Sequence, residues 1–139
     1  MNFGDVETLE DMQAVLDSSP YIRFLGLKAE VFSKTEERLE VSMASAPALE
    51  RAEGSGQFHG GPIAGMIDTI ASCLLAGVLG KSIPTINFRV DYVRPSYGEK
   101  LIARATARRL GRTIAVCDVD VFDQNDKLVA VGRGTFSTA

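Results

Sequence analysis

One histidine, two cysteines and a near balance of charge narrow what this 139-residue chain can do. Cys73 and Cys117 form no Cys-x-x-Cys pair and have no histidine cluster beside them. A zinc site is therefore not expected, and both thiols read as reduced packing residues. Fifteen basic against eighteen acidic side chains leave a net charge of −3, so there is no cationic excess to neutralise nucleic acid. The start of the chain carries Asp5, Glu7, Glu10 and Asp11, unlike the basic start of a secretory signal, which favours the cytoplasm. No nucleophile elbow accompanies the histidine, so a Ser-His-Asp triad is unsupported. No repeat or low-complexity linker divides the sequence, and 45% hydrophobic residues suffice for a core, so residues 1–139 read as one domain.

The hydrophobic pattern gives the element order. Leu9, Met12, Val15 and Leu16 make one stripe of a short amphipathic helix over Thr8 to Ser18, ended by Ser18-Ser19-Pro20. Leu27 to Ala44 reads as a hairpin, with Lys34-Thr35-Glu36-Glu37 at the turn and Leu39, Val41 and Met43 facing inward. Residues 46–58 lack a period and carry Pro47, Gly54 and Gly56, which marks a loop. Four alternating stretches follow later: Ile83 to Arg94, Lys100 to Leu110, Arg112 to Phe122 and Lys127 to Ser137. Strand, strand, helix, then four strands describe an α+β layout, an antiparallel sheet of about six strands wrapped around one helix.

That central helix begins at the most informative stretch, Phe58-His59-Gly60-Gly61-Pro62-Ile63-Ala64-Gly65-Met66-Ile67-Asp68. Pro62 suits a first helical position, so Gly60-Gly61-Pro62 reads as a helix start whose free N–H groups can face an anion or oxyanion. Ile63, Ile67, Ile70, Leu74 and Val78 recur at helical spacing and should pack on the sheet, while Ala64, Gly65, Asp68, Ser72 and Ala76 form a second, small-residue face. The apolar run to Gly80 approaches the length of a membrane span, but Asp68 near its middle favours a core helix. An ionised carboxylate in such surroundings needs a partner or a task. Hydroxyls such as Ser72 or Thr69 could satisfy it, and catalysis could employ it.

Gly56-x-x-His59-Gly60-Gly61 with Asp68, then Thr85-Ile86-Asn87-Phe88-Arg89-Val90-Asp91-Tyr92-Val93-Arg94-Pro95, resembles the hotdog-fold acyl-CoA thioesterases of the PaaI-like branch, associated with phenylacetate degradation. Gly111-Arg112-Thr113 and Leu128 to Phe136 are also similar, so the resemblance extends over about residues 20 to 138. It implies a hotdog fold, hydrolysis of a small aryl- or medium-chain acyl-CoA without metal or redox cofactor, and a homodimer or dimer of dimers with active sites between subunits. Neither nucleic acid nor membrane enters as a partner.

Residue by residue, the resemblance casts Asp68 as general base or nucleophile and the Gly60 backbone N–H as oxyanion donor, with Gly61 beside it. His59 shapes that turn more than it moves protons. Thr85 falls where similar enzymes carry a hydroxyl that reaches across from the partner subunit, and Asn87 and Tyr92 fall at ligand-lining positions. Arg109, Gly111, Arg112 and Thr113 occupy a turn that meets CoA, with Arg94 and Arg133 as further cations. Phe58, Met66, Leu74 and Leu75 are candidates for an acyl tunnel. Glu53 departs from the pattern, because similar proteins carry Asn or Gln six residues before the histidine and an ionised Glu can only accept hydrogen bonds. A non-catalytic acyl-CoA-binding protein is the alternative, although a pure binder gains little from burying a carboxylate.

Overall fold

The computed structural model describes residues 2–139. Thr8 caps α1 (Leu9–Asp17) through a capping box with Asp11, which places Met12, Val15 and Leu16 inward. The proline that ends this helix starts another: Ser19 caps α2 (Pro20–Leu25), which closes at Gly26 in the left-handed conformation. Sequence reading expected one short N-terminal helix and the structure has two, because a Ser-Pro pair suits N-cap and first helical position as well as it suits a stop.

The hairpin folds as β1 (Leu27–Ser33) and β2 (Arg38–Ala44), with Glu37 at positive φ in its turn. A loop with a short 3-10 turn at Pro47–Leu49 leads to the central helix α3 (Gly60–Leu79). The remaining strands are β3 (Thr85–Tyr92), β4 (Lys100–Leu110), β5 (Ile114–Asp123) and β6 (Leu128–Ser137). All pair antiparallel in the order β1-β2-β4-β5-β6-β3. This is the antiparallel sheet around one helix expected from the pattern, and the hotdog fold implied by the resemblance, with α3 lying on the inner face of the curved sheet.

Ile63, Ile67, Ile70 and Leu74 of α3 are fully or almost fully buried against Leu39, Val41, Leu101, Ala103, Val119 and Val121. Close approach is built in at Gly132 of β6, where an added Cβ would lie 2.6 Å from Ile67 Cγ2. The long apolar helix is thus the core of the sheet and not a membrane span. Met66, Leu74 and Leu75 share that core at 0% exposure, so they are not walls of an acyl tunnel. Strand β3 forms one edge of the sheet, and Ile86, Phe88 and Tyr92 along it remain 55%, 40% and 52% exposed.

Candidate active site

The turn into α3 is fixed by several hydrogen bonds. Helix α3 starts at Gly60 with His59 as N-cap, so Pro62 is the third helical residue, still among those whose N–H has no intrahelical partner. His59 Nδ1 accepts from Gly61 N at 2.9 Å. An accepting Nδ1 carries no proton, which makes His59 a cap for the turn. His59 N donates to Leu49 O at 2.8 Å and Phe58 N to Ser96 O at 2.9 Å, locking both sides of the turn to the protein. Tyr92 Oη donates to Gly60 O at 2.6 Å. Among the described residues no acceptor meets the Gly60 N–H, which opens the first helical position to a ligand oxygen.

A cavity of about 370 Å³ opens at this turn, lined by Gly60, Phe58, Tyr92 and Val93 together with Arg51 and Arg94. Phe58, expected along an acyl tunnel, belongs here. Partial burial holds the Tyr92 hydroxyl above its ordinary pKa, so it stays a donor. Arg94 is anchored by a bond from Nη1 to Leu128 O at 2.9 Å.

Asp68 lies two turns further along α3 in a second cavity, of about 380 Å³. Phe3, Ser19, Ile22, Thr69, Ser72, Cys73, Ser82 and Thr85 complete its lining. Thr85 Oγ1 donates to Asp68 Oδ1 at 2.7 Å. Strand β3 returns alongside its own helix and so brings the hydroxyl to the carboxylate of the same chain, whereas the resemblance implied a reach towards the neighbouring subunit. Ser72, considered as a partner for Asp68, instead donates to Ile83 O at 2.9 Å. Cys73 is pushed up to about 12, first by burial and then by the charge of Asp68, so its thiol is held protonated.

Other expected site residues fall elsewhere. Asn87 would share the face of Thr85 in a regular strand, but the pairing of β3 with β6 shifts register between residues 85 and 87. Asn87 therefore joins Arg89, Arg104, Arg108, Asp118 and Arg133 in a groove on the outer sheet face, away from Asp68. Arg133, considered for CoA, is engaged there with Asp118 through bonds of 2.6 and 2.9 Å. That pairing lowers the Asp118 pKa, principally through the hydrogen bond, and raises that of Arg133. Glu53 is exposed at the loop tip and lines neither the Gly60 nor the Asp68 cavity.

Gly111, Arg112 and Thr113 form the β4–β5 turn, with Arg109 beside it near the end of β4, and both arginines are exposed. The turn is held by Gly111 N donating to Ile114 O, and by Thr138, which donates through N to Thr113 O and through Oγ1 to Gly111 O. Sequence reading missed the contribution of Phe3, Ser19 and Ile22 to the Asp68 cavity, since nothing local to those residues indicates chemistry.

Known proteins support what this geometry suggests. A protein of Halobacterium salinarum provisionally named an esterase is 33% identical over 135 residues, covering 90% of this chain and 88% of its own. The medium/long-chain acyl-CoA thioesterase YigI of Escherichia coli is 26% identical over 132 residues, covering 84% of each chain. The structure of the PaaI protein from the phenylacetic acid degradation operon of Escherichia coli superposes with a TM-score of 0.79 at 23% identity, covering 90% of this chain and 88% of that one, a likeness of fold. The thioesterase superfamily model matches residues 55–130, more than half of the sequence and the part that holds both Gly60 and Asp68, and the chain belongs to that superfamily.

Proposed function

We propose that this thioester hydrolase cleaves acyl-CoA at a site completed by two copies of the chain, with Asp68 of one copy and the Gly60 N–H of the other acting on one carbonyl. One observation carries the reading. Gly60 and Asp68 stand eight residues apart on a continuous helix, which at ~1.5 Å per residue separates them by about 12 Å. They also line different cavities. A base and an oxyanion donor must each lie within ~3 Å of the atoms they act on, so one chain does not present both to the same thioester.

A two-fold axis that sets two α3 helices antiparallel would bring the Gly60 end of one to the Asp68 of the other, twice. The β3 edge supports this, because among the described residues no strand lies beyond it and its side chains Ile86, Phe88 and Tyr92 are exposed. An edge that pairs with its own symmetry mate is satisfied and covered at once. The reading extends to a homodimer or a dimer of such dimers.

At the completed site Thr85 holds Oδ1 of Asp68, leaving Oδ2 for the reaction. As a base, Asp68 takes a proton from water while the water oxygen attacks the carbonyl carbon. The oxyanion is stabilised by the Gly60 N–H, the C–S bond breaks, and the proton passes to the CoA thiolate. As a nucleophile, Asp68 bonds the same carbon, the C–S bond breaks to release CoA thiolate, and water hydrolyses the resulting anhydride to the free acid, regenerating the Asp68 carboxylate and giving up the proton that the thiolate takes. Both routes yield acid and CoA, and neither calls for a metal or redox cofactor. Arg51 and Arg94 at the Gly60 cavity, with Arg109 and Arg112 at the β4–β5 turn, supply cations for CoA phosphates. Phe3, Ile22 and Cys73 give the Asp68 cavity an apolar side suited to a small aryl or medium-length acyl group. Two buried free thiols, Cys73 and Cys117, fit a reducing, cytoplasmic setting.

The test is thiol release from a panel of phenylacetyl-, hydroxybenzoyl-, octanoyl- and palmitoyl-CoA. Asp68→Asn keeps the shape and removes the base, and should lower kcat by at least ~100-fold with the fold retained. Near-wild-type turnover in that variant would overturn the assignment.

A further inference from the structure

The stretch common to the thioesterase superfamily spans residues 55–130, yet three walls of the Asp68 cavity, Phe3, Ser19 and Ile22, come from the N-terminal segment outside it. Ser19 caps α2, and Ile22 projects from that helix into the cavity. Between them stands Tyr21, whose side chain lies on the small-residue face of α3. A Cβ added at Gly65 would be 2.2 Å from Tyr21 Oη and 3.1 Å from Cζ. Gly65 precedes Asp68 by three residues, nearly one helical turn, so the ring sits over the position next to the carboxylate on the same face.

A glycine within a helix is destabilising relative to alanine, so Gly65 answers a packing requirement, and the requirement here is the seat of Tyr21. The ring is no ordinary core member. It is 52% exposed, whereas a core-forming aromatic buries its ring. Tyr21 is not itself in the lining of the cavity that holds the candidate base, but it stands between two residues that are, Ser19 and Ile22.

We propose that Tyr21 is a specificity-determining residue that stands over Gly65 just beyond the lining of the Asp68 cavity, blocks its extension towards the start of α3 and so limits the size of the acyl group. This rests on the thioesterase reading above. Chemistry then belongs to the α3–β3 pair and acyl selection to the N-terminal helices, with Gly65 as the seat that lets the gatepost stand.

The experiment measures kcat/KM for octanoyl- and palmitoyl-CoA in Tyr21→Ala, Tyr21→Leu, Gly65→Ala and Phe24→Ala, alongside Kd for the matching non-hydrolysable S-alkyl-CoA thioethers. Tyr21→Ala should raise the palmitoyl-to-octanoyl ratio on the order of tenfold, the scale of one or two apolar groups in a pocket. Tyr21→Leu should do so less. Gly65→Ala should move the ratio the same way by displacing the ring, and adding Gly65→Ala to Tyr21→Ala should change nothing further. Phe24→Ala, at an exposed position on the same helix whose side chain is not the one seated against Gly65, should leave the ratio unchanged. An unaltered ratio in folded Tyr21→Ala and Tyr21→Leu overturns the proposal while leaving the hydrolase assignment intact. If the wild type hydrolyses nothing on the panel, the hydrolase assignment falls and thioether binding decides: a length preference that relaxes in Tyr21→Ala upholds the gate, and one that does not relax ends it.

Discussion

Thr85 and Asp68 are joined by a 2.7 Å hydrogen bond that ties the first residue of edge strand β3 to the middle of the core helix. The hydroxyl donates, so the bond fixes which carboxylate oxygen remains available.

Thr85→Val, which keeps the shape and deletes the donor, is expected to lower kcat by about tenfold, since hydrogen bonds to charged groups contribute about 1.5–3 kcal/mol and part of this one is already made in the ground state. Thr85→Ser should retain most of the activity. Steady-state kinetics on one acyl-CoA checks both, and full activity in Thr85→Val with a loss in Thr85→Ser would show that the methyl group, not the hydroxyl, matters.

Tyr92 plays the corresponding part at the other half-site, where its hydroxyl holds Gly60 O at 2.6 Å. Tyr92→Phe should destabilise the protein by about 1 kcal/mol in urea unfolding, the contribution of a neutral hydrogen bond. It should also lower kcat several-fold with a smaller change in KM, because the turn that aims the Gly60 N–H loses one anchor. A KM-only effect would assign Tyr92 to substrate contact instead.

Much of this was legible in the sequence, for reasons that differ by element. Strands β1, β2 and β4 end where alternation ends, because each has one face on the core and a turn at its boundary. The α3 stripe was readable because Ile63, Ile67, Ile70 and Leu74 meet a single sheet. Helix α2 was not, since Ser19-Pro20 serves equally as a terminator and as a start, and only tertiary packing of Ile22 and Leu25 decides. Asn87 was misplaced because a bulge inverts a strand's faces without changing its composition. His59, Gly60 and Asp68 were found by local motif, whereas Phe3, Ser19 and Ile22 reach Asp68 only through the folding of a distant segment onto α3.

Burial, then the charge of Asp68, pushes the Cys73 thiol up to about 12, so at pH 8 almost no thiolate exists for alkylation. Iodoacetamide should label Cys73 slowly in native protein and rapidly in urea, followed by mass spectrometry. Asp68→Asn should leave native labelling slow, because burial is the larger cause. The sign for stability follows from linkage. A thiol whose folded pKa is raised contributes fully below its ordinary 9.0 and loses that contribution as pH climbs from about 9 towards 12. Cys73→Ala should therefore show a shallower alkaline decline in unfolding free energy than the wild type, and a parallel decline would mean that the buried thiol is not its source.

The division of the chemistry between copies can be read from mixed dimers. Gly60→Pro removes the N–H while keeping a backbone that proline tolerates, since position 60 opens the helix and His59 before it is extended at φ −66° and ψ 150°. Gly60→Pro alone and Asp68→Asn alone should each be nearly inactive. In a hybrid dimer of the two, one site joins two damaged groups and the other joins two intact ones, so unfolding and refolding the mixture should restore activity well above either parent. Mixing Asp68→Asn with Thr85→Val should give no recovery beyond the residual activity of Thr85→Val. Thr85 and Asp68 act together within one chain, so every site in that hybrid retains one defect. The two mixtures thus give opposite outcomes for a shared site. Recovery in the second would show that Thr85 acts across the interface, and recovery in neither, with hybrids confirmed by native mass spectrometry, would place Gly60 and Asp68 in separate roles.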